Sequence, residues 1–165
     1  MNKKRIGIYP GTFDPITFGH MDIIKRSLQI VDELIIGVAD NINKKPLLSI
    51  EDRKKLILSD IKTYLKNKEN ISVVRVSGLL TSYAKKNNVT CIIRGLRAVS
   101  DFEYEFQMTG MNYQLNPNVE TIFLMSSEKN SFISSNFIKE VHKLGGDVSR
   151  FVSKNTIDIL DKKNI

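Results

Sequence analysis

The sequence has one cysteine, Cys91, and only two histidines among its 165 residues. An internal disulfide is therefore excluded, and a Cys/His zinc site cannot be assembled without help from carboxylates. Long hydrophobic runs are missing as well, since the uninterrupted apolar stretches extend over a few residues, far short of the roughly 20 that cross a bilayer. The start, Met1-Asn2-Lys3-Lys4-Arg5, leads into a short strand-like run and not into the hydrophobic region of an export signal. The expectation is a cytoplasmic protein with no membrane partner. Several signatures of enzyme chemistry are also absent. The chain has no Gly-Lys-Ser/Thr of a Walker loop, no GxGxxG, no GxSxG elbow and no HExxH.

What remains is the composition of an ordinary globular protein, 41% hydrophobic and 26% charged, neither disordered nor membrane-spanning, with a length that fits one domain over residues 1–165. Lys plus Arg number 25 against 18 Asp plus Glu, a formal charge of +7. Such an excess suits nucleic acid, an anionic membrane surface or a phosphorylated small molecule.

Apolar runs of strand length recur at 5–9, 33–39, 71–76, 90–94 and 119–125, each rich in Ile and Val. Between them lie segments of helical period, carried by Ile24, Leu28 and Val31, by Ile57, Ile61 and Leu65, and by Phe102, Phe106, Thr109 and Tyr113. Ser49 with Asp52, and Ser100 with Glu103, have the spacing of a hydroxyl cap answered by an acid three residues on. Strands such as IIGVA and CIIRG are apolar on both faces, as a parallel sheet covered by helices on each side requires. The predicted fold is a single doubly wound α/β domain with five parallel strands. Beyond Asp147, Val152, Ile157 and Leu160 predict one or two short helices packed on the edge. Ligands of open α/β sheets sit at the carboxyl ends of the strands, so function belongs in the loops there.

The first such loop, YPGTFDPITFGH, supplies the Thr12 hydroxyl and sets His20 at a helix start, where free amides favour phosphate. Its plainer reading is a turn at Asp14-Pro15 and a histidine with a satisfied hydrogen bond. After the second strand, Lys44 and Lys45 precede Pro46, a pattern equally common in solvated turns. After the fourth, Arg94 and Arg97 flank Gly95 just before a helix, suited to bidentate phosphate binding unless Asp101, Glu103 or Glu105 occupies them. After the fifth, Ser131, Ser134 and Ser135 lead into a helix carrying Lys139. Three loops with anion-binding groups and one with hydroxyls, converging on one sheet edge, point to a substrate with several phosphates. Cys91 reads as a core residue, and His142, at a helix end, receives no catalytic role.

GTFDPITFGH, the loop with Lys44, IRGLRAVSDFEYE and SFISS resemble, in order and spacing, the bacterial phosphopantetheine adenylyltransferases over nearly the whole chain. Thr17-Phe18-Gly19-His20 resembles the T/HxGH motif of the wider nucleotidyltransferase superfamily, with Ile133-Ser134-Ser135 as its second motif. The resemblance implies a Rossmann-like nucleotidyltransferase that moves the adenylyl group of ATP to 4'-phosphopantetheine by direct in-line attack. It implies His20 as the group that stabilises the transition state. It implies that the acceptor is bound by Thr12, Lys44, Leu80, Arg94, Met108 and Asn112. The implied ATP contacts are Thr12, Phe13, His20, Gly95, Leu96, Arg97, Glu105, Asn130, Ser131, Phe132, Ile133, Ser134, Ser135 and Asn136. Asn130 stands where relatives often carry an aromatic, and Asn136 where a third Ser or Thr is common. Magnesium would travel with ATP and not on a protein carboxylate cluster, and the assembly would be a homohexamer.

Two other functions compete with this one. Relatives that use nicotinamide mononucleotide or glycerol phosphate generally show His, not Thr, at the first position of the motif, where this chain has Thr17, and lack RGLRAVSDFEYE. A nucleic-acid module would show a basic stripe with exposed aromatics; instead lysines scatter, as at Lys54-Lys55 and Lys85-Lys86. No nucleic-acid partner is expected.

Overall fold

The computed structural model describes residues 4–40, 45–66, 69–127 and 133–163, without the side chain of Ser100. Lys44, Asn130, Ser131 and Phe132, all named above as binding residues, lie outside the described residues. Strand and helix alternate from the start: β1 (Ile6–Gly11), α1 (Phe18–Ser27), β2 (Glu33–Ala39), α2 (Ile50–Tyr64), β3 (Ile71–Val76) and α3 (Leu80–Lys86). The second half adds β4 (Cys91–Leu96), α4 (Val99–Leu115), β5 (Glu120–Met125), α5 (Ser135–Lys143) and α6 (Lys154–Lys162). All strand pairs are parallel and run in the order β3-β2-β1-β4-β5. The chain thus builds outward from β1 to β3, then returns to the other side of β1 to add β4 and β5.

Side chains alternate across the strands, and the two faces bury separate clusters. Tyr9, Leu34, Ile36, Cys91 and Ile93 pack with Ile23 and Ile24 of α1 and with Leu56, Ile57 and Ile61 of α2. The intervening Ile8, Ile35 and Ile92 face the other way, toward Ala84 of α3, Val89 and Val119. Each fully buried Ile or Leu in these layers contributes roughly 1.5–3 kcal/mol of transfer free energy. A third cluster, Ile133, Ile138, Val148, Val152 and Leu160, fastens the C-terminal helices. Asn155 Nδ2 donates to Ser59 Oγ (2.7 Å) and Lys163 pairs with Asp52 (3.1 Å), which docks α6 on α2. Phe151 accepts from the amide of Phe18 at 2.9 Å, so this C-terminal segment also ties down the start of α1.

Hydroxyls cap four helices: Thr17 for α1, Ser49 for α2, Ser134 for α5 and Ser153 for α6. The cap expected at Ser100 is corrected. Helix α4 starts two residues earlier, at Val99 behind Ala98, which makes no side-chain cap. Asp101 binds backward instead, accepting from the Arg97 amide at 3.0 Å.

Candidate active site

The sheet opens where its winding reverses. β1 pairs with β2 along its full length, to Gly11↔Val38, and β4 with β5 to Leu96↔Met125. β1 and β4 pair only at Gly7↔Cys91 and Ile8↔Ile92 and then part. Pro10, with no N–H to give a ladder, stands just past the parting. Arg94 fills the gap: its Nη1 donates to the Pro10 carbonyl at 2.7 Å. Above this junction lies a cavity of about 1090 Å³. Its position matches the crevice where open α/β sheets hold ligands.

The β1 loop forms the floor. Phe13 takes φ = +50°, unusual for a bulky residue, and turns its ring back beneath the strand end, in edge contact with Tyr9 (5.4 Å) and His20 (5.1 Å). Gly11 permits this, because a Cβ there would stand 2.8 Å from the Phe13 ring. Tyr9 is buried, and its phenol pKa is pushed far above the usual value by that burial.

His20 closes a capping box at the start of α1. Thr17 Oγ1 accepts from the His20 amide (3.4 Å), and His20 Nδ1 accepts from the Thr17 amide (3.0 Å). An amide can only donate, so Nδ1 carries no proton and the neutral ring has its N–H at Nε2. Burial, helped by the positive Arg97, lowers the imidazole pKa to about 4. At neutral pH His20 is therefore an uncharged donor on the cavity wall, its ring fixed by the helix cap.

The β4 loop supplies the cations. Arg94 holds Glu105 through Nε (2.8 Å) and Nη2, in a bidentate pair that is largely buried. Burial works against the Arg94 charge, but Glu105 more than offsets it and holds the pKa above the usual arginine value. Arg97 is more exposed and binds Asp101 through Nε (3.1 Å) and Nη2 (3.2 Å). The carboxylate pairing weighed from the sequence thus exists for both arginines, yet both still line the cavity. Of the five guanidinium protons of Arg94, three are committed to Glu105 and Pro10, which leaves two for a ligand.

The remaining expected residues divide clearly. Thr12, Phe13, Leu80, Gly95, Glu105, Met108, Asn112, Ile133, Ser134, Ser135 and Asn136 all line the same cavity as His20, Arg94 and Arg97. Leu96 does not: it is buried, and its carbonyl already accepts from the Ser126 amide at 2.7 Å. Ser135 Oγ donates to the Pro15 carbonyl (2.8 Å), which ties the start of α5 to the β1 loop.

Three further residues were not marked as site residues in the sequence reading. Asp14, taken there for a turn, is 4% exposed. Its carboxylate accepts from the amides of Leu47 (3.0 Å) and Leu48 (2.8 Å) and from Lys139 Nζ (2.8 Å). Lys139 lines the cavity from α5. Arg53, on α2, is buried and reaches the Thr12 carbonyl. Its signal was present but faint, since it falls on the same helical face as Ile57 and Ile61 instead of among the solvated lysines.

Residues 8–141 match the cytidylyltransferase-like family. Solved structures agree on the fold. Plasmodium falciparum nicotinic acid mononucleotide adenylyltransferase superposes with a TM-score of 0.74 at 19% identity, over 99% of this chain and 97% of that one. A bifunctional NMN adenylyltransferase/ADP ribose pyrophosphatase from Francisella tularensis also scores 0.74 at 16% identity, over 97% of this chain and 49% of the other. Sequence relatives are much nearer. The phosphopantetheine adenylyltransferase of Wolbachia pipientis (strain wPip) is 57% identical over 92% of this chain and 89% of its own length. That of Rhodospirillum rubrum is 50% identical over 98% and 95%. The chain belongs to the phosphopantetheine adenylyltransferase family, and so to the nucleotidyltransferases.

Proposed function

We propose that the chain transfers the adenylyl group of ATP to 4'-phosphopantetheine, forming dephospho-coenzyme A and pyrophosphate. The observation that carries this is the convergence of Thr12, His20, Arg94, Arg97 and the α5 start on one cavity at the parting of β1 and β4. An oxygen of the acceptor phosphate forms a bond to the α-phosphorus in line, and the bond to the pyrophosphate oxygen breaks, with no covalent enzyme intermediate. His20 donates through Nε2 to the oxygens on which charge builds. Thr12 and Arg94, together with Lys44, hold the attacking phosphate, and Leu80, Met108 and Asn112 line the path of the pantetheine arm. The nucleotide lies along Phe13, Gly95 to Arg97, Glu105 and the stretch from Asn130 to Asn136.

Magnesium enters as part of MgATP. Among the described residues no three His, Cys, Asp or Glu side chains gather into a cation cage. The cavity carboxylates are engaged, Asp14 with Lys139, Glu105 with Arg94, Asp101 with Arg97 and Asp40 with Arg75. No helix among the described residues is long and apolar enough to cross a membrane, and the cytoplasm is the compartment that supplies ATP. Self-association, as the homohexamer that the family resemblance implies, fits the exposed apolar residues of α4, where Phe106, Met111 and Tyr113 are each more than half exposed. The test is direct. Folded protein with MgATP and 4'-phosphopantetheine releases pyrophosphate, whereas nicotinamide mononucleotide in place of the acceptor does not; absence of release with 4'-phosphopantetheine refutes the proposal.

A further inference from the structure

Arg53 has a place in the fold that neither packing nor ion pairing explains. It is 1% exposed, and its recorded hydrogen bonds all go to main-chain carbonyls. Nε reaches Leu48 O (3.1 Å) and Ser49 O (3.4 Å), while Nη1 reaches Thr12 O (2.7 Å) and Ala39 O (3.1 Å). Burial lowers its pKa below the usual arginine value, against the pull of Asp14 and Asp40. Burying a guanidinium without a bonded carboxylate is costly, and an apolar side chain of similar volume would fill the space more cheaply.

What an apolar side chain could not do is hold these four carbonyls at fixed separations. Thr12 lies on the β1 loop, Ala39 ends β2, and Leu48 and Ser49 lead into α2. Asp14 secures the same junction from the opposite side through the Leu47 and Leu48 amides. The rigid fork of arginine suits such a task, and lysine, with one nitrogen, does not.

We propose that Arg53 is a positioning residue for catalysis: it sets the Thr12 main chain against the end of β2 and so fixes the width of the acceptor-phosphate subsite. This rests on the adenylyl-transfer reading above. Apart from His20 and the β1-loop residues Thr12 and Phe13, the ATP side is built from β4, Glu105 of α4 and the segment leading into α5, which no hydrogen bond of Arg53 reaches, so its effect falls chiefly on the acceptor.

The test is Arg53→Lys, assayed beside the wild type well below its melting temperature. The expected result is a KM for 4'-phosphopantetheine raised about tenfold or more, because a small displacement of a positioned group is costly, with the ATP KM within about twofold. A folded variant with both constants at wild-type values, or with both raised equally, overturns the proposal. Should the variant not fold, the wild type itself answers by NMR. The Arg53 Nε–H signal should exchange slowly with solvent and shift on adding 4'-phosphopantetheine but not ATP. Fast exchange, or a shift with ATP alone, overturns the proposal. Wild type that releases no pyrophosphate overturns the adenylyl-transfer reading, and the NMR arm still decides the clamp without turnover.

Discussion

Replacing His20 by Ala and by Gln should separate two roles that one ring combines. The ring closes the α1 cap through Nδ1, which accepts from the Thr17 amide at 3.0 Å, and in the proposed mechanism Nε2–H donates to the oxygens around the reacting phosphorus. Alanine removes both. Loss of a donor to developing charge costs about 2.7–4 kcal/mol, a fall in kcat of roughly 10²–10³. Loss of the cap partner costs a further ~0.5–1.5 kcal/mol of stability, or about 2–5 °C in Tm for a chain of this length. Glutamine is the customary acceptor at this third position of a capping box. His20→Gln should therefore keep Tm within about 1 °C of wild type yet lose a comparable share of kcat, since its amide cannot reach the Nε2 position. ATP affinity, read by calorimetry, should stay within about twofold in both variants, because the contact strengthens only in the transition state. Equal losses in ATP affinity and kcat would refute the transition-state role, and a Tm loss in Gln equal to that in Ala would refute the cap.

Other expectations follow from buried charge and exposed surface. Asp60 on α2 is 1% exposed with neither carboxylate oxygen geometrically hydrogen-bonded, and burial, only partly opposed by Ser153, raises its pKa to about 6. Its neutral form is favoured in the fold, so stability is lost as pH rises from about 4 to 6. Asp60→Asn should raise stability at pH 7.5 by an amount on the order of 1–2 kcal/mol, seen as a higher Tm, and the gain should vanish near pH 4 in thermal melts. His20 acts in the opposite sense: its pKa is lowered to about 4, so its contribution is intact above the usual histidine range and is lost as pH falls from 6.5 toward 4. His20→Gln should accordingly flatten that part of the stability-versus-pH curve. Breaking the buried pair by Lys139→Ala leaves Asp14 with its two amides but without its ion-paired cation, and should cost about 3 kcal/mol by urea unfolding. Phe106→Asp or Met111→Asp on the exposed face of α4 should lower the particle mass seen by light scattering without loss of helical signal; an unchanged mass would separate that face from assembly.

The sheet was legible because its strands announce themselves twice, by β-branched content and by being apolar on both faces. Ile8 and Tyr9, or Ile92 and Ile93, indeed bury toward opposite layers. Helix starts were legible where a hydroxyl stands at the cap, as at Ser49, and misread where a pattern match had a stronger rival. Asp101 answers the Arg97 amide, so α4 begins ahead of the Ser100 pattern. Arg94 and Arg97 could be placed beside the cavity from their strand end alone. Asp14, Arg53 and Lys139 could not, because each depends on at least one partner 33 to 125 residues away in the chain, a contact that no local spacing encodes. A proline after Asp14 looks like any turn until the carboxylate is seen to gather two amides and a lysine.

The central claim is that one cavity carries ATP and acceptor together and passes the adenylyl group directly between them. ATP labelled at the α-phosphorus, incubated with the protein, magnesium and 4'-phosphopantetheine, tests this most directly. The account predicts label in dephospho-coenzyme A at the rate at which pyrophosphate appears, and none on the protein after denaturation. Label retained on the chain, or recovered only as AMP, would contradict it.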